Sequence, residues 1–332
     1  MPEEWQIQQQ KRAENALSRL IEANPELSVN NDQPDWLFGT NFVTFGKFHD
    51  QPVVFKYFDW HPRKEQEEKA LRLLAVTGFV PKLCSVESDS ILVWEQLQGT
   101  TLDSIEKQNK QEQLEKLYYQ LGMAMAKIVE LAPVDSSGGR HGLIAKLEFD
   151  YEFYCQSDIE TLFDTVIERS TKVFADKDVP YKTILIESLS TLQKNRDAIL
   201  AYPTFIQMDD FHTGNIIVDG DKLMGFIDLE MTRYGNEVFL LASALAMTAD
   251  EEQRGQWKWI RQGYEYRYGK PIDNDLLYLA SISASFCQWT RFMWYWGTDD
   301  LPQWAIEANM RKSVTTDIKM IVETIQKLDL SI

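Results

Sequence analysis

Apolar positions along the first hundred residues change period several times, and each change predicts a new element. Trp5, Ala16, Leu17, Leu20 and Ile21 fall on one face of a helix over residues 3–24. Residues 25–35, NPELSVNNDQP, read as loop by composition. Two β-rich runs follow, WLFGTNFVTFGKF and VVFKYF, separated by His49-Asp50-Gln51-Pro52, and this predicts a hairpin. A helix is expected over 63–77, ending at Gly78, and two further strands fit 83–87 and 91–96 around the polar turn Ser88-Asp89-Ser90. After Gly99 the chain reads as mainly helical, apart from short strands around Asp210–Asp228. The order predicts an α+β, bilobed architecture: a small β-rich N-terminal lobe with a leading helix over 1–97, and a larger, mainly helical C-terminal lobe over 98–332. No internal repeat or low-complexity tract interrupts it.

Composition narrows the picture. A chain of 332 residues has room for two domains or one bilobed enzyme. With 44% hydrophobic and 12% aromatic residues it is a folded chain rather than a disordered one. No apolar run approaches the ~20 residues that span a bilayer, and the polar N-terminus lacks the apolar segment of a secretory signal. Cys84, Cys155 and Cys287 are odd in number and far apart, which speaks against a disulfide framework or a zinc site and fits a reducing cytoplasm. A formal charge of −17 argues against a nucleic-acid surface. It leaves two readings: simple solubility, or an acidic cleft that attracts a cationic substrate.

The chemistry concentrates in FIQMDDFHTGNIIVDGDKLMGFIDLE. Asp210 and Asn215 lie on a polar turn between apolar stretches, and Asp228 ends the next apolar strand. One carboxylate for an acceptor hydroxyl, with an amide and a second carboxylate for magnesium, is the layout of a phosphoryl-transfer site. Magnesium takes oxygen ligands, so no cysteine or histidine cluster is required.

The run resembles the signature of the aminoglycoside phosphotransferase and choline kinase superfamily, the small-molecule branch of the protein-kinase-like fold. Met208-Asp209-Asp210-Phe211-His212-Thr213-Gly214-Asn215 stands where that family has H-G-D-x-H-x-x-N, and Ile227-Asp228-Leu229-Glu230 where it has I-D-x-E. The resemblance implies a protein-kinase-like fold and transfer of the γ-phosphate of ATP or GTP, with Mg²⁺, to a hydroxyl of a small molecule. It makes Asp210 the catalytic carboxylate, and Asn215 and Asp228 the metal ligands. His212 supports the loop. Asp209 is the neighbouring alternative to Asp210, and Glu230 has two readings, a second metal ligand or a salt bridge to a nearby Arg or Lys. The family's first His is Met208 here, and the Asp it carries before L-A is Leu240. Both family residues brace the catalytic loop, so a joint apolar replacement is expected, with activity retained; a lone polar survivor would be left unsatisfied.

Four matches lie further N-terminal. Lys56 sits in VVFKYF, and Glu67, Leu71 and Leu74 recur at i, i+4, i+7, which puts Glu67 on the buried face of its helix. Glu68 lies about 100° further round. A buried acid needs a partner, and in the family a strand Lys pairs with a helix Glu and reaches the phosphates. Gly39-Thr40-Asn41 resembles the family's degenerate glycine loop. Leu92-Val93-Trp94-Glu95-Gln96-Leu97-Gln98-Gly99 resembles its hinge, where main-chain groups of Glu95 and Leu97 would meet adenine. Alternative functions are a nucleotide-binding pseudokinase or scaffold and a metabolic amino-alcohol or sugar kinase. A protein kinase is disfavoured, since no A-P-E motif follows Asp228. Most of the aromatic stretch 257–304 is expected to be core, as helical aromatic stripes usually are, while at least one of the consecutive Trp294, Tyr295 and Trp296 is expected to be exposed or to face the cleft, where with Asp299 and Asp300 it would hold a cationic or sugar-like acceptor.

Overall fold

Helix α1 (Glu4–Ala23) turns one apolar face, Ala13, Leu17 and Leu20, onto a sheet, where it packs with Phe42, Val53, Phe55, Tyr57, Ile91 and Val93. The structure, a computed structural model, describes residues 4–30, 37–38, 41–59, 61–108, 110–129, 159–200, 204–208, 212–230, 232–236, 254–272, 274–301, 305–306 and 309–327. The sheet contains β1 (Leu27–Val29), β2 (Leu37–Phe38), β3 (Phe42–Phe48), β4 (Gln51–Tyr57) and β5 (Ile91–Glu95). Its order is β1-β3-β4-β5, with β2 also on β3, and every pairing is antiparallel. The β3–β4 hairpin turns through His49 (φ 49°) and Asp50 (φ 63°), with Phe48 opposite Gln51. Two left-handed residues in a two-residue loop match the right-handed twist of the strands they join.

Strand alternation decides where Lys56 goes. Val53, Phe55 and Tyr57 face α1, whereas Val54 points to the opposite face and packs with Ala70, Leu71 and Leu74 of α2 (His61–Leu74). Lys56 shares the parity of Val54, so it is directed under α2 and is buried. A 3₁₀ turn over Ala75–Thr77 continues α2 and stops at Gly78, whose φ of 72° leaves the right-handed region.

Two local expectations are corrected. The stretch 25–35 is not loop throughout, because β1 pairs with the far end of β3. Residues 83–87 form no strand. Leu83 makes a single bridge to Trp94, and Cys84 N–H donates to the Val93 carbonyl at 2.9 Å.

The second lobe carries β6 (Thr100–Thr101), α3 (Leu102–Glu106), α4 (Gln111–Val129), α5 (Ile159–Asp176), α6 (Lys182–Lys194) and α7 (Arg196–Leu200). Next come β7 (Thr204–Met208), β8 (Ile216–Asp219), β9 (Lys222–Phe226) and β10 (Thr232–Asn236). The chain then runs through α8 (Arg254–Tyr268), α9 (Asn274–Gly297) and α10 (Met310–Lys327). Strands β6, β8 and β9 form one antiparallel sheet, and β7 pairs with β10. Helices α4 and α8 meet through glycines: a Cβ on Gly122 would lie 1.9 Å from the Ile260 carbonyl oxygen, and one on Gly263 1.9 Å from that of Tyr119. Only residues without a side chain allow the two backbones to approach so closely. No helix among the described residues is long and apolar enough to cross a membrane.

Candidate active site

Two strand pairs hold the candidate loops together. Met208 at the end of β7 is opposite Thr232 at the start of β10, and Ile216 at the start of β8 is opposite Phe226 at the end of β9. The strand ends that flank segments 209–215 and 227–231 of the sequence are thereby brought together in pairs. Ile227 N–H donates to the Asn215 carbonyl at 3.0 Å, which sets Asn215 next to the segment bearing Asp228. His212 accepts a hydrogen bond from Gly214 N–H through Nδ1 at 3.1 Å and caps the 3₁₀ turn Thr213–Asn215, a supporting role. Asp209, Asp210, Leu240 and Gly39 lie outside the described residues, as does the Met208 side chain.

Asp228 is in the left-handed region at φ 60°. For a residue with a Cβ this costs about 1–3 kcal/mol and persists only where neighbours over-determine it. They do so here: Ile227 N–H is fixed to Asn215, and Leu229 N–H donates to Glu67 Oε1 at 3.2 Å.

Around Lys56 three carboxylates converge. Its Nζ lies 2.6 Å from Glu67 Oε2 and 3.2 Å from Glu230 Oε2, and it donates to Asp228 Oδ1. The strand–helix ion pair expected from the sequence is present, while Glu68 bonds Arg72 and Lys64 on the outer face of α2. Burial disfavours the Lys56 ammonium, yet the carboxylates, Glu67 foremost, outweigh it and hold the lysine charged far above its ordinary range. Burial likewise dominates at Glu67 and pushes its carboxyl up; Lys56 opposes this, and Asp228 and Glu230 add to it. Among the described residues, three acids, Glu67, Asp228 and Glu230, meet two cations, Lys56 and Arg63.

The three carboxylates present oxygen atoms within 4.8 Å of one another. An excess negative charge on hard oxygen donors suits a hard divalent cation. The three are not equally placed to meet one. The Asp228 side chain is 33% exposed, against 1% for Glu67 and 6% for Glu230. Glu230 is saturated from three directions: Asn41 Nδ2 donates to Oε2, where Lys56 also sits, and Arg63 Nη1 donates to Oε1 at 3.1 Å. The salt bridge expected as one of its two readings is present, to Lys56 and Arg63.

Arg63 was not foreseen. It precedes Glu67 by one helical turn, so the i, i+4 spacing that exposed Glu67 also contained it. The side chain of Asn41 is buried and committed to Glu230. At the hinge, Glu95 N–H donates to the Lys82 carbonyl at 2.9 Å, and Gln96 N–H to that of Pro52 at 3.0 Å. The Glu95 amide is therefore occupied.

The aromatic stretch is mostly core. Trp257, Trp259, Tyr264, Trp289 and Tyr295 are buried. Trp296 donates its indole N–H to the Arg311 carbonyl at 3.2 Å beneath the Arg311 guanidinium, and Asp299 pairs with Lys177 at 2.8 Å. Arg311 belongs to α10 and Lys177 directly follows α5, and neither is part of the Lys56 cluster.

The model of the phosphotransferase enzyme family matches residues 52–271, about two thirds of the chain. The chain belongs to this family. The fold of this phosphotransferase is that of the kinase-like enzymes. The crystal structure of aminoglycoside phosphotransferase APH(4)-Ia aligns over 94% of this chain and 99% of its own, with a TM-score of 0.68 at 12% identity. A thermostable mutant of that enzyme, in ternary complex with AMP-PNP and hygromycin B, aligns over 92% and 97%, with a TM-score of 0.63 at 14% identity. An ethanolamine kinase of Plasmodium vivax aligns over 90% and 85%, with a TM-score of 0.57 at 14% identity. A search of curated protein sequences finds no match.

Proposed function

We propose that this phosphotransferase moves the γ-phosphoryl group of ATP or GTP, in the presence of Mg²⁺, to a hydroxyl of a small molecule. The observation that carries the reading is the buried Lys56, held by Glu67 and reaching Asp228 from another lobe. A lysine kept charged in a closed acidic cluster is a fixed cation for phosphate oxygens. The nucleotide lies between the lobes assigned to 1–97 and 98–332, with adenine against the Glu95 carbonyl and the Leu97 N–H and its phosphates under the Gly39–Asn41 turn. Asp228 and the Asn215 amide would hold magnesium, which would neutralise phosphate charge during transfer. Lys56 fixes the phosphates, and Asp210 orients the acceptor hydroxyl and takes its proton late. His212 shapes the loop that carries both Asp210 and Asn215.

The acceptor in this reading is cationic or sugar-like. The net charge of −17 would concentrate a cation, and structural relatives include an aminoglycoside phosphotransferase and an ethanolamine kinase. The test is a thermal-shift screen with Mg·AMP-PNP and panels of aminoglycosides, amino alcohols and sugars, followed by nucleotide turnover with each hit. Ligands that bind only the folded state raise apparent stability by mass action. No shift with Mg²⁺ and either nucleotide, and no turnover with any panel member, would sink the proposal.

A further inference from the structure

We propose that Glu230 is a positioning residue that ties Asn41, at the head of β3, and Lys56 to the segment bearing Asp228, and that it does not ligate metal. The inference rests on the nucleotide site proposed above. Glu230 is buried, and its two oxygens are divided among three donors from three elements. Oε2 accepts from the Asn41 amide at the head of β3 and faces Lys56 Nζ of β4 at 3.2 Å; Oε1 accepts from Arg63 of α2 at 3.1 Å. A carboxylate has about four acceptor positions, so little capacity is left for an ion. To ligate one it would have to abandon Asn41, itself buried, and that would leave a polar group unsatisfied.

Asp228 and Glu230 thus divide the work. Asp228, on its left-handed turn, is the partly open acid. Glu230 faces inward and spans 189 residues of sequence to reach Asn41. When an Asp228 oxygen leaves Lys56 for a cation, Lys56 stays held by Glu67 at 2.6 Å and by Glu230. The Asn41 contact keeps the head of β3 beside the segment bearing Asp228. Glu230 therefore sets two edges of the nucleotide site without touching the nucleotide.

The test compares Asn41→Ala, Glu230→Gln and the double variant, using full-length protein with Mg·mant-ATP for affinity and ATP turnover for KM and kcat. Each single variant should weaken nucleotide affinity and raise KM for ATP roughly tenfold or more, as expected for a hydrogen bond to a charged group, with a smaller change in kcat. The double variant should be no worse than the poorer single, because both break one contact. The Mg²⁺ concentration for half-maximal rate at saturating ATP should stay within about twofold of wild type. Additive effects would overturn the proposal. So would a Glu230→Gln variant with a sharply raised Mg²⁺ requirement beside an unaffected Asn41→Ala, which is the pattern of a metal ligand. If Glu230→Gln fails to fold, Asn41→Ala decides alone, and an unchanged KM refutes the tie. A wild-type protein that binds no Mg·mant-ATP overturns the nucleotide site itself, an outcome separate from wild-type binding with silent variants.

Discussion

Replacing Lys56 by Met should destabilise the protein in a manner that depends on pH. Methionine keeps the length and removes the charge from a side chain that is 4% exposed. Two buried carboxylates, Glu67 and Glu230, and the partly open Asp228 then keep Arg63 as their cation among the described residues. Breaking a buried ion pair from one side costs about 3–5 kcal/mol, because the partner charge stays buried. The sign with pH follows from the shifts. The Lys56 pKa is raised, so its contribution is fully present below the unfolded-state value of about 10.4 and constant across pH 5–9. The Glu67 pKa is also raised, so between the unfolded value and the folded one the native state binds more protons, and stability falls as pH rises through that window. Without Lys56 to oppose burial, the window widens upward. The loss relative to wild type should therefore be largest near pH 8 and shrink toward pH 5. One proton over one pH unit is worth about 1.4 kcal/mol, and the two losses should differ by at least that. Urea titrations of both proteins at pH 5 and pH 8 measure it. Equal losses at both pH values, or a loss below about 1 kcal/mol at pH 8, would refute the argument.

Three further outcomes are expected. Asp210→Asn should lower phosphate transfer by about 10²–10⁴-fold with nucleotide affinity nearly unchanged, whereas Asp228→Asn should weaken Mg-nucleotide binding; turnover assays and calorimetry separate them, and the reverse pattern at Asp209 would shift the register by one. Gly122→Ala gains about 1 kcal/mol of helix propensity but drives a Cβ to 1.9 Å from the Ile260 carbonyl oxygen. Overpacking of ~1–3 kcal/mol or more should outweigh the gain, and an unchanged urea midpoint would contradict it. Burial, with Glu95 nearby, pushes the Cys84 thiol up to about 11. Its alkylation rate by iodoacetamide, followed by peptide mass spectrometry, should therefore keep climbing with pH through 10, where a plateau near 8.5 would show an ordinary thiol.

Local pattern made much of this protein legible before any coordinates. Helical spacing put Glu67, not Glu68, on the inner face of α2, and the hairpin at His49-Asp50 fixed which strand residues share a face. Alternation along β4 then sends Lys56 the same way as Val54, beneath α2. Face and parity are properties of short segments, so a single sequence carries them. The misreadings have the opposite origin. Leu27–Val29 became a strand because β3 offered a free edge, and residues 83–87 did not because only Leu83 reached Trp94. The long aromatic run gave no sign of which rings would be core; Trp289 and Tyr264 are enclosed by neighbouring helices, and Trp296 is capped by Arg311.

The sequence by itself determined most of the order of elements, the inward faces of α2 and β4, and the residue types from which a phosphoryl-transfer site could be assembled. Tertiary structure decided who meets whom. Glu230 could have been a metal ligand or an ion-pair partner on its residue type alone, and its assignment to Asn41, Lys56 and Arg63 exists only because three elements dock around it. Charges as far apart in sequence as Lys56 and Asp228, 172 residues, are matched by packing, since the cost of burying them is recovered only when the partners arrive together.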